Sequence, residues 1–143
     1  HYAVTYDGTK VTIYVNGQKA GDKTITSKVV KDGYFKYLTF GGIGGNNGAW
    51  APGDRWWYGC NIMVTECRIW SVARTADQIS KNILNVVPDT QGLEGYWKVS
   101  KATYDEVTKE FADLTGKGHP MTTNKSFVWN ENISTEDTSS PWK

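Results

Sequence analysis

The chain has 143 residues, the size of one ordinary domain and long enough to bury roughly two-thirds of its unfolded surface. Sixteen Lys and Arg against fifteen Asp and Glu leave no broad charged field, which argues against nucleic acid and anionic lipid as partners. Seven Trp, eight Tyr and fifteen Gly with only 22% charged residues suit short strands, tight turns and aromatic surfaces, so an all-β fold is expected. No run of about eighteen apolar residues occurs, which argues against a membrane span. The opening His1-Tyr2-Ala3-Val4 is not a signal peptide and reads as mid-domain sequence.

Tyr2 to Tyr6 is rich in β-branched and aromatic residues, Asp7-Gly8 is a turn dipeptide, and Val11 to Val15 alternates with period two, which together predict a β-hairpin. Asn16-Gly17 tolerates positive φ, so a second reversal is expected, leading to a third strand around Lys23 to Val29. Strand character resumes from Gly33 to Phe40. A Gly-rich loop then begins at Gly41 and continues past Trp50, Asp54 and Trp57.

Cys60 to Trp70 is the longest strand candidate. An unbroken pleat puts Ile62, Val64, Glu66, Arg68 and Trp70 on one face and Met63, Thr65, Cys67 and Ile69 on the other; a β-bulge would change that division. Seven steps of about 3.3 Å would separate Cys60 from Cys67 by roughly 23 Å, too far for a disulfide. Buried free thiols are the simple reading, and pairing with sequence outside the chain is the alternative.

Thr75-Ala76-Asp77-Gln78 has the form of a capping box and predicts a short helix to about Leu84, with Ile79 and Ile83 on one side. Pro88 forbids its continuation. Leu93 to Val99 reads as a strand carrying Tyr96 and Trp97, and both Trp70 and Trp97 are expected in the core. Asp113 to Pro120 is turn-rich, Phe127, Val128 and Trp129 form a last apolar cluster, and residues 130–143 read as a polar tail. No repeat of 20 to 50 residues is apparent, which disfavours propellers and solenoids.

The sharpest binding-site candidate is the Gly-rich loop. Rings of Trp50, Trp56 and Trp57 could stack on sugar faces while Asn46, Asn47, Asp54 and Arg55 hydrogen-bond hydroxyls. The plain structural alternative is that these rings seal one end of the fold, and adjacent Trp56 and Trp57 cannot both face outward from an extended segment. His1 and His119 are the only histidines, and without a ligand-like spacing they make a poor zinc site. Asp7, Asp54 and Asp113 are simplest as turn residues. Asn124-Lys125-Ser126 and Asn132-Ile133-Ser134 match the N-glycosylation pattern.

Four stretches together resemble the laminin G-like and pentraxin-like domains of the concanavalin A-like lectin and glucanase superfamily. They are His1 to Gly8; Val11-Thr12-Ile13-Tyr14-Val15-Asn16-Gly17; Thr65-Glu66-Cys67-Arg68-Ile69-Trp70-Ser71 with Arg74 to Ile79; and Gly92 to Lys98 with Asp113 to His119. The resemblance spans residues 1–129 and implies an all-β, concanavalin A-like antiparallel β-sandwich, or jelly roll, with one short helix. Thr65 stands where the family has Asp and Cys67 where it has an apolar residue, which puts any role of an acidic pair there in doubt. Family members carry several strands before the counterpart of His1. The resemblance therefore implies the C-terminal portion of a sandwich, completed by complementing N-terminal strands or by another protein chain.

The same resemblance implies a structural pairing for Glu66 and Arg68, and it makes calcium a candidate cofactor, although no dense acidic loop is present. Retaining glycosidases of the superfamily need two carboxyl groups about 5 to 5.5 Å apart, presented as Glu-x-Asp-x-x-Glu, and no such motif occurs. The expected function is a non-catalytic, carbohydrate-binding domain of a secreted, periplasmic or cell-surface bacterial protein. A structural or protein-interaction sandwich without a sugar site is the alternative.

Overall fold

The structure is a computed structural model that describes residues 1–26, 64–84 and 90–122. The expected strand at 33–40, the Gly-rich loop, the apolar cluster at 127–129 and the tail at 130–143 lie outside the described residues.

Strands β1 (Tyr2–Tyr6), β2 (Lys10–Val15) and β3 (Gln18–Thr24) form an antiparallel meander in that order. Asp7 builds the first turn. Its Oδ1 accepts from the backbone N–H groups of Thr9 and Lys10 and from the Thr9 hydroxyl at 2.8 to 2.9 Å, an Asx-type turn that adds to the backbone bond from the Asp7 N–H to the Lys10 carbonyl. At the second turn Asn16 and Gly17 lie at φ 49° and 77°, consecutive left-handed residues that set Gln18 opposite Val15. The third strand therefore starts at Gln18, not near Lys23, and ends at Thr24. Polar Gln18 to Thr24 lacks strand propensity, but a tight turn delivers it to the β2 ladder, and backbone pairing needs no apolar side chains.

Strands β4 (Cys67–Trp70) and β5 (Leu93–Trp97) pair antiparallel, with Arg68 opposite Tyr96. A bulge follows, since Ile69 opposes Gly95 and Trp70 opposes Leu93, so Glu94 has no counterpart. The expected strand running unbroken from Cys60 to Trp70 is corrected here. Val64 to Glu66 are not strand, and Glu66 at φ 52° breaks the pleat one residue before β4. Spacing along a straight strand therefore fails as a ruler between Cys60 and Cys67. Cys67 is buried and free, and burial pushes its thiol up to about 12.

Helix α1 (Ala76–Lys81) begins with the expected capping box: the Thr75 hydroxyl accepts from the Gln78 N–H, and the Gln78 side chain accepts from the Thr75 N–H. It ends three residues short of Leu84, with Asn82 as C-cap, so buried Ile79 is helical while half-buried Ile83 lies just beyond. The helix lies against β3, and the Asn16-Gly17 turn abuts it so closely that a Cβ on Gly17 would come within 2.9 Å of Ser80.

Beyond β5 come a 3₁₀ turn (Lys101–Thr103) and a small sheet the sequence reading did not anticipate, with β6 (Tyr104–Asp105), β7 (Glu110–Phe111) and β8 (Met121–Thr122) in that order. Asp105 repeats the device of Asp7, accepting from the N–H groups of Val107 and Thr108, and Tyr104 packs on Phe111 with ring centroids 4.8 Å apart. All described residues except Val64 belong to one compact unit, and Tyr14, Cys67, Ile79, Leu93, Tyr96, Trp97 and Phe111 are buried in it. Trp97 is core as expected. Trp70 is not fully so: it stays half-buried, its ring covered by the Arg74 guanidinium 4.0 Å from the centroid.

Candidate functional site

Every residue of the expected aromatic site, namely Asn46, Asn47, Trp50, Asp54, Arg55, Trp56 and Trp57, lies outside the described residues. The structure instead assembles a buried polar cluster that the sequence reading grasped only in part. Arg68 projects from β4 and stacks over the ring of its cross-strand partner Tyr96, 5.5 Å from the centroid. One terminal nitrogen donates to the carbonyl of Asn82. The other donates to the carbonyl of Ile83 at 2.8 Å and to Glu66 Oε2 at 3.0 Å. The Tyr96 hydroxyl donates to the same Oε2 at 2.6 Å.

The physical logic is that of a clamp. The carbonyls that end a helix lack intrahelical partners and carry partial negative charge, so a guanidinium just past α1 satisfies two acceptors and suits the helix dipole. Burying that cation requires a counter-charge, which Glu66 supplies. Burial, followed by the hydrogen bond to Glu66, pushes the Tyr96 phenol well above its ordinary range and keeps it a donor. Among the described residues Glu66 Oε1 and Arg68 Nε, both buried, have no hydrogen-bond partner. The spacing of Glu66 and Arg68 signalled the ion pair, whereas Tyr96 and the Asn82 and Ile83 carbonyls come from elements whose packing no spacing reveals.

Chemically the cluster holds one carboxylate, one guanidinium and one phenol, all mutually engaged. Among the described residues it holds no second carboxyl group of the kind that retaining glycoside cleavage uses.

Asp113 organises a second constellation at the far edge of β5. Its carboxylate accepts from the Thr115 hydroxyl and from the N–H groups of Thr115, Tyr96 and His119. Burial works against its charge, but these hydrogen bonds outweigh burial and hold the carboxyl below its usual range. The His119 carbonyl accepts from the Trp97 indole N–H at 2.7 Å, so the Asp113 turn also fixes the core tryptophan. Asp113, Asp7 and His119 thus sit in turns, as expected, while Asp54 lies outside the described residues. Among the described residues no group of three His, Cys, Asp or Glu side chains could hold a metal ion, and no helix is long and apolar enough to cross a membrane.

These elements, a Tyr-Val-Asn-Gly hairpin end, a strand entered through Glu66 and carrying Arg68 ahead of a capped helix, and a closing strand held by an Asp-x-Thr-Gly turn, meet in one unit. The sequence profile of the concanavalin A-like lectin/glucanases superfamily matches residues 1–80. The chain belongs to this superfamily. No curated protein matches it. Among solved structures, a "putative carbohydrate binding protein from Bacteroides ovatus ATCC 8483" is 28% identical with a TM-score of 0.61, over 85% of this chain and 37% of that one. The concanavalin A-like chain described here thus spans little more than a third of that relative's length.

Proposed function

We propose that this chain is a non-catalytic, carbohydrate-binding domain of a secreted or cell-surface protein. The observation that carries the reading is its likeness, at 28% identity, to a solved protein named for carbohydrate binding, within a superfamily of lectins and glucanases. The composition of residues 46–57 adds chemical support: Trp50, Trp56 and Trp57 supply flat apolar rings for the C–H faces of sugars, and Asn46, Asn47, Asp54 and Arg55 supply donors and acceptors for hydroxyls. In this reading the Glu66–Arg68–Tyr96 cluster is scaffold that holds α1 to the β4–β5 sheet, and the chain performs no chemistry on the glycan. Calcium is a candidate accessory ion.

The test is tryptophan emission of the chain titrated with a panel of glycans, with and without calcium. A saturable shift that Trp56→Ala or Trp57→Ala abolishes is the expected result. A folded chain that answers no glycan under either condition would favour a structural or protein-interaction module instead.

A further inference from the structure

The chain has two Asn-Gly pairs, Asn16-Gly17 and Asn47-Gly48, and the first is among the described residues. Such a pair carries its own chemistry, because glycine offers no Cβ to keep its backbone nitrogen from the neighbouring side-chain amide. At Asn16 a bond forms between the Gly17 nitrogen and Cγ, the Cγ–Nδ2 bond breaks, and ammonia leaves with the Gly17 amide proton. Water then opens the resulting succinimide ring at either carbonyl, giving aspartate or isoaspartate, and no other reactant is needed. Asp7-Gly8 has the same form but a poorer electrophile: the N–H groups of Lys10 and Thr9 hold its carboxyl below the usual range, so it stays ionised.

The fold restrains this reaction. Asn16 lies at φ 49° in a left-handed turn, and ring closure needs the Gly17 nitrogen eclipsed with Cβ about the Asn16 Cα–C bond, a rotation outside the left-handed region. The His1 nitrogen donates to Asn16 Oδ1 at 2.8 Å and the Asn16 N–H donates to the His1 carbonyl at 2.8 Å, which ties the exposed asparagine to the start of β1. Gly17 itself is buried. A Cβ on it would stand 2.9 Å from Ser80, in the last turn of α1, and 3.5 Å from Ile83, whose carbonyl Arg68 holds. The base that must take the Gly17 amide proton therefore meets the end of α1 first.

We propose that Asn16 is a spontaneous modification site gated by α1, reacting when the helix end lifts from the turn and yielding an isoaspartate that keeps the helix from seating again. Isoaspartate adds a carbon to the main chain of a two-residue loop whose length sets Gln18 opposite Val15. It does so against a wall with no room even for a methyl group on Gly17. The change runs one way, because the ammonia is lost, and each event unlocks the contact between the β2–β3 turn and α1.

Ageing the whole chain at neutral pH tests the gate, with peptide mass spectrometry to read Asn16 separately from Asn47 and isoaspartyl methyltransferase to count isoaspartate. In the folded chain Asn16 should deamidate at least about tenfold more slowly than in guanidinium, the ratio set by a turn open less than about a tenth of the time. Thr75→Ala, which loosens α1, should speed it about fivefold, the equivalent of one lost helix cap, and Thr75→Ser should return it to the parent rate. Asp105→Ala, which unties the β6–β7 turn instead, should leave it unchanged. Amide exchange at Ile79 and Ser80 should quicken in the chain carrying isoaspartate, whereas Asn16→Asp, with an unaltered main chain, should keep the parent pattern. Equal rates in folded and unfolded chain overturn the gate, as does a Thr75→Ala rate no faster than the parent's. Equal acceleration by Asp105→Ala assigns the opening to the whole chain and overturns it too. An isoaspartyl chain with parent-like exchange in α1 overturns the one-way step.

Discussion

Glu66 and Arg68 form a buried ion pair of 3.0 Å although they do not share a strand: Arg68 belongs to β4, while Glu66 sits one residue before it in a left-handed conformation at φ 52°. A non-glycine residue held there stores strain, on the order of 1 kcal/mol, which the surrounding contacts must over-determine. The contacts that do so are those to Arg68 and Tyr96. Removing the cation alone should be the most damaging change in the cluster. Arg68→Met should cost about 3–5 kcal/mol in urea unfolding, because Glu66 is left buried and unpaired, whereas Tyr96→Phe, which leaves the ion pair in place, should cost about 1–2 kcal/mol. Adding Glu66→Leu to Arg68→Met should recover part of the loss. A cost below about 1 kcal/mol for Arg68→Met would remove the clamp from the account of the fold.

Gly95 is required by the ring that crosses it. A Cβ there would stand 2.9 Å from two carbons of the Trp97 indole and closer still to a third. The indole cannot retreat freely, because its N–H is tied to the His119 carbonyl. Gly95→Ala should therefore destabilise by about 1–3 kcal/mol through overpacking and shift tryptophan emission, while Gly21→Ala, where a Cβ meets nothing within 4 Å, should leave that emission unchanged.

The parts of the fold legible in the sequence are those set by local chemistry. Asp7-Gly8 and Asn16-Gly17 announce their turns through the conformations they tolerate, and Thr75 with Gln78 announces a helix start through two reciprocal hydrogen bonds. What stayed hidden depends on partners far along the chain. Gln18 to Thr24 is a strand because β2 is beside it, and the bulge at Trp70 arises from its pairing with Leu93. The two-residue strands of the small sheet are too short to generate periodicity, although Asp105, like Asp7, marks a turn between aromatic and β-branched residues. The Glu66–Arg68 pair was readable from a spacing of two, but for the wrong geometric reason. Nothing near Arg68 in sequence indicates that it would hold the carbonyls after α1.

The cap at Thr75 offers a local check on the helix. Thr75→Ala removes the acceptor for the Gln78 N–H and should cost about 1 kcal/mol, whereas Thr75→Ser or Thr75→Asp should restore most of it. Ile79 is buried and Ser80 closely abuts Gly17, so fraying of α1 should also loosen the Asn16-Gly17 turn. Faster amide exchange at Gly17 and Gln18 in Thr75→Ala, with β4 and β5 amides unaffected, is the expected pattern.

Stability should fall at both ends of the pH scale for separate reasons. Asp113 has a folded pKa below its reference of 3.8, so its contribution is present above that value and is lost as pH falls through the folded value. Acid unfolding should thus be partly suppressed in Asp113→Asn, which starts less stable at neutral pH but changes less on acidification. At the alkaline end the signs reverse. Burial raises Cys67 from 9.0 to about 12 and, with the Glu66 hydrogen bond, raises Tyr96 above 10.0. Each group favours the fold fully below its unfolded value, and that contribution declines as pH rises through the interval to the folded one. Urea midpoints should accordingly fall from about pH 9 upward. Cys67→Val should flatten the first part of that decline, since a valine in the same buried site has no proton to lose, and the part beginning near 10 should persist until Tyr96→Phe is added. A midpoint independent of pH from 9 to 11 in the parent chain would mean that neither group is buried in solution as the structure places it.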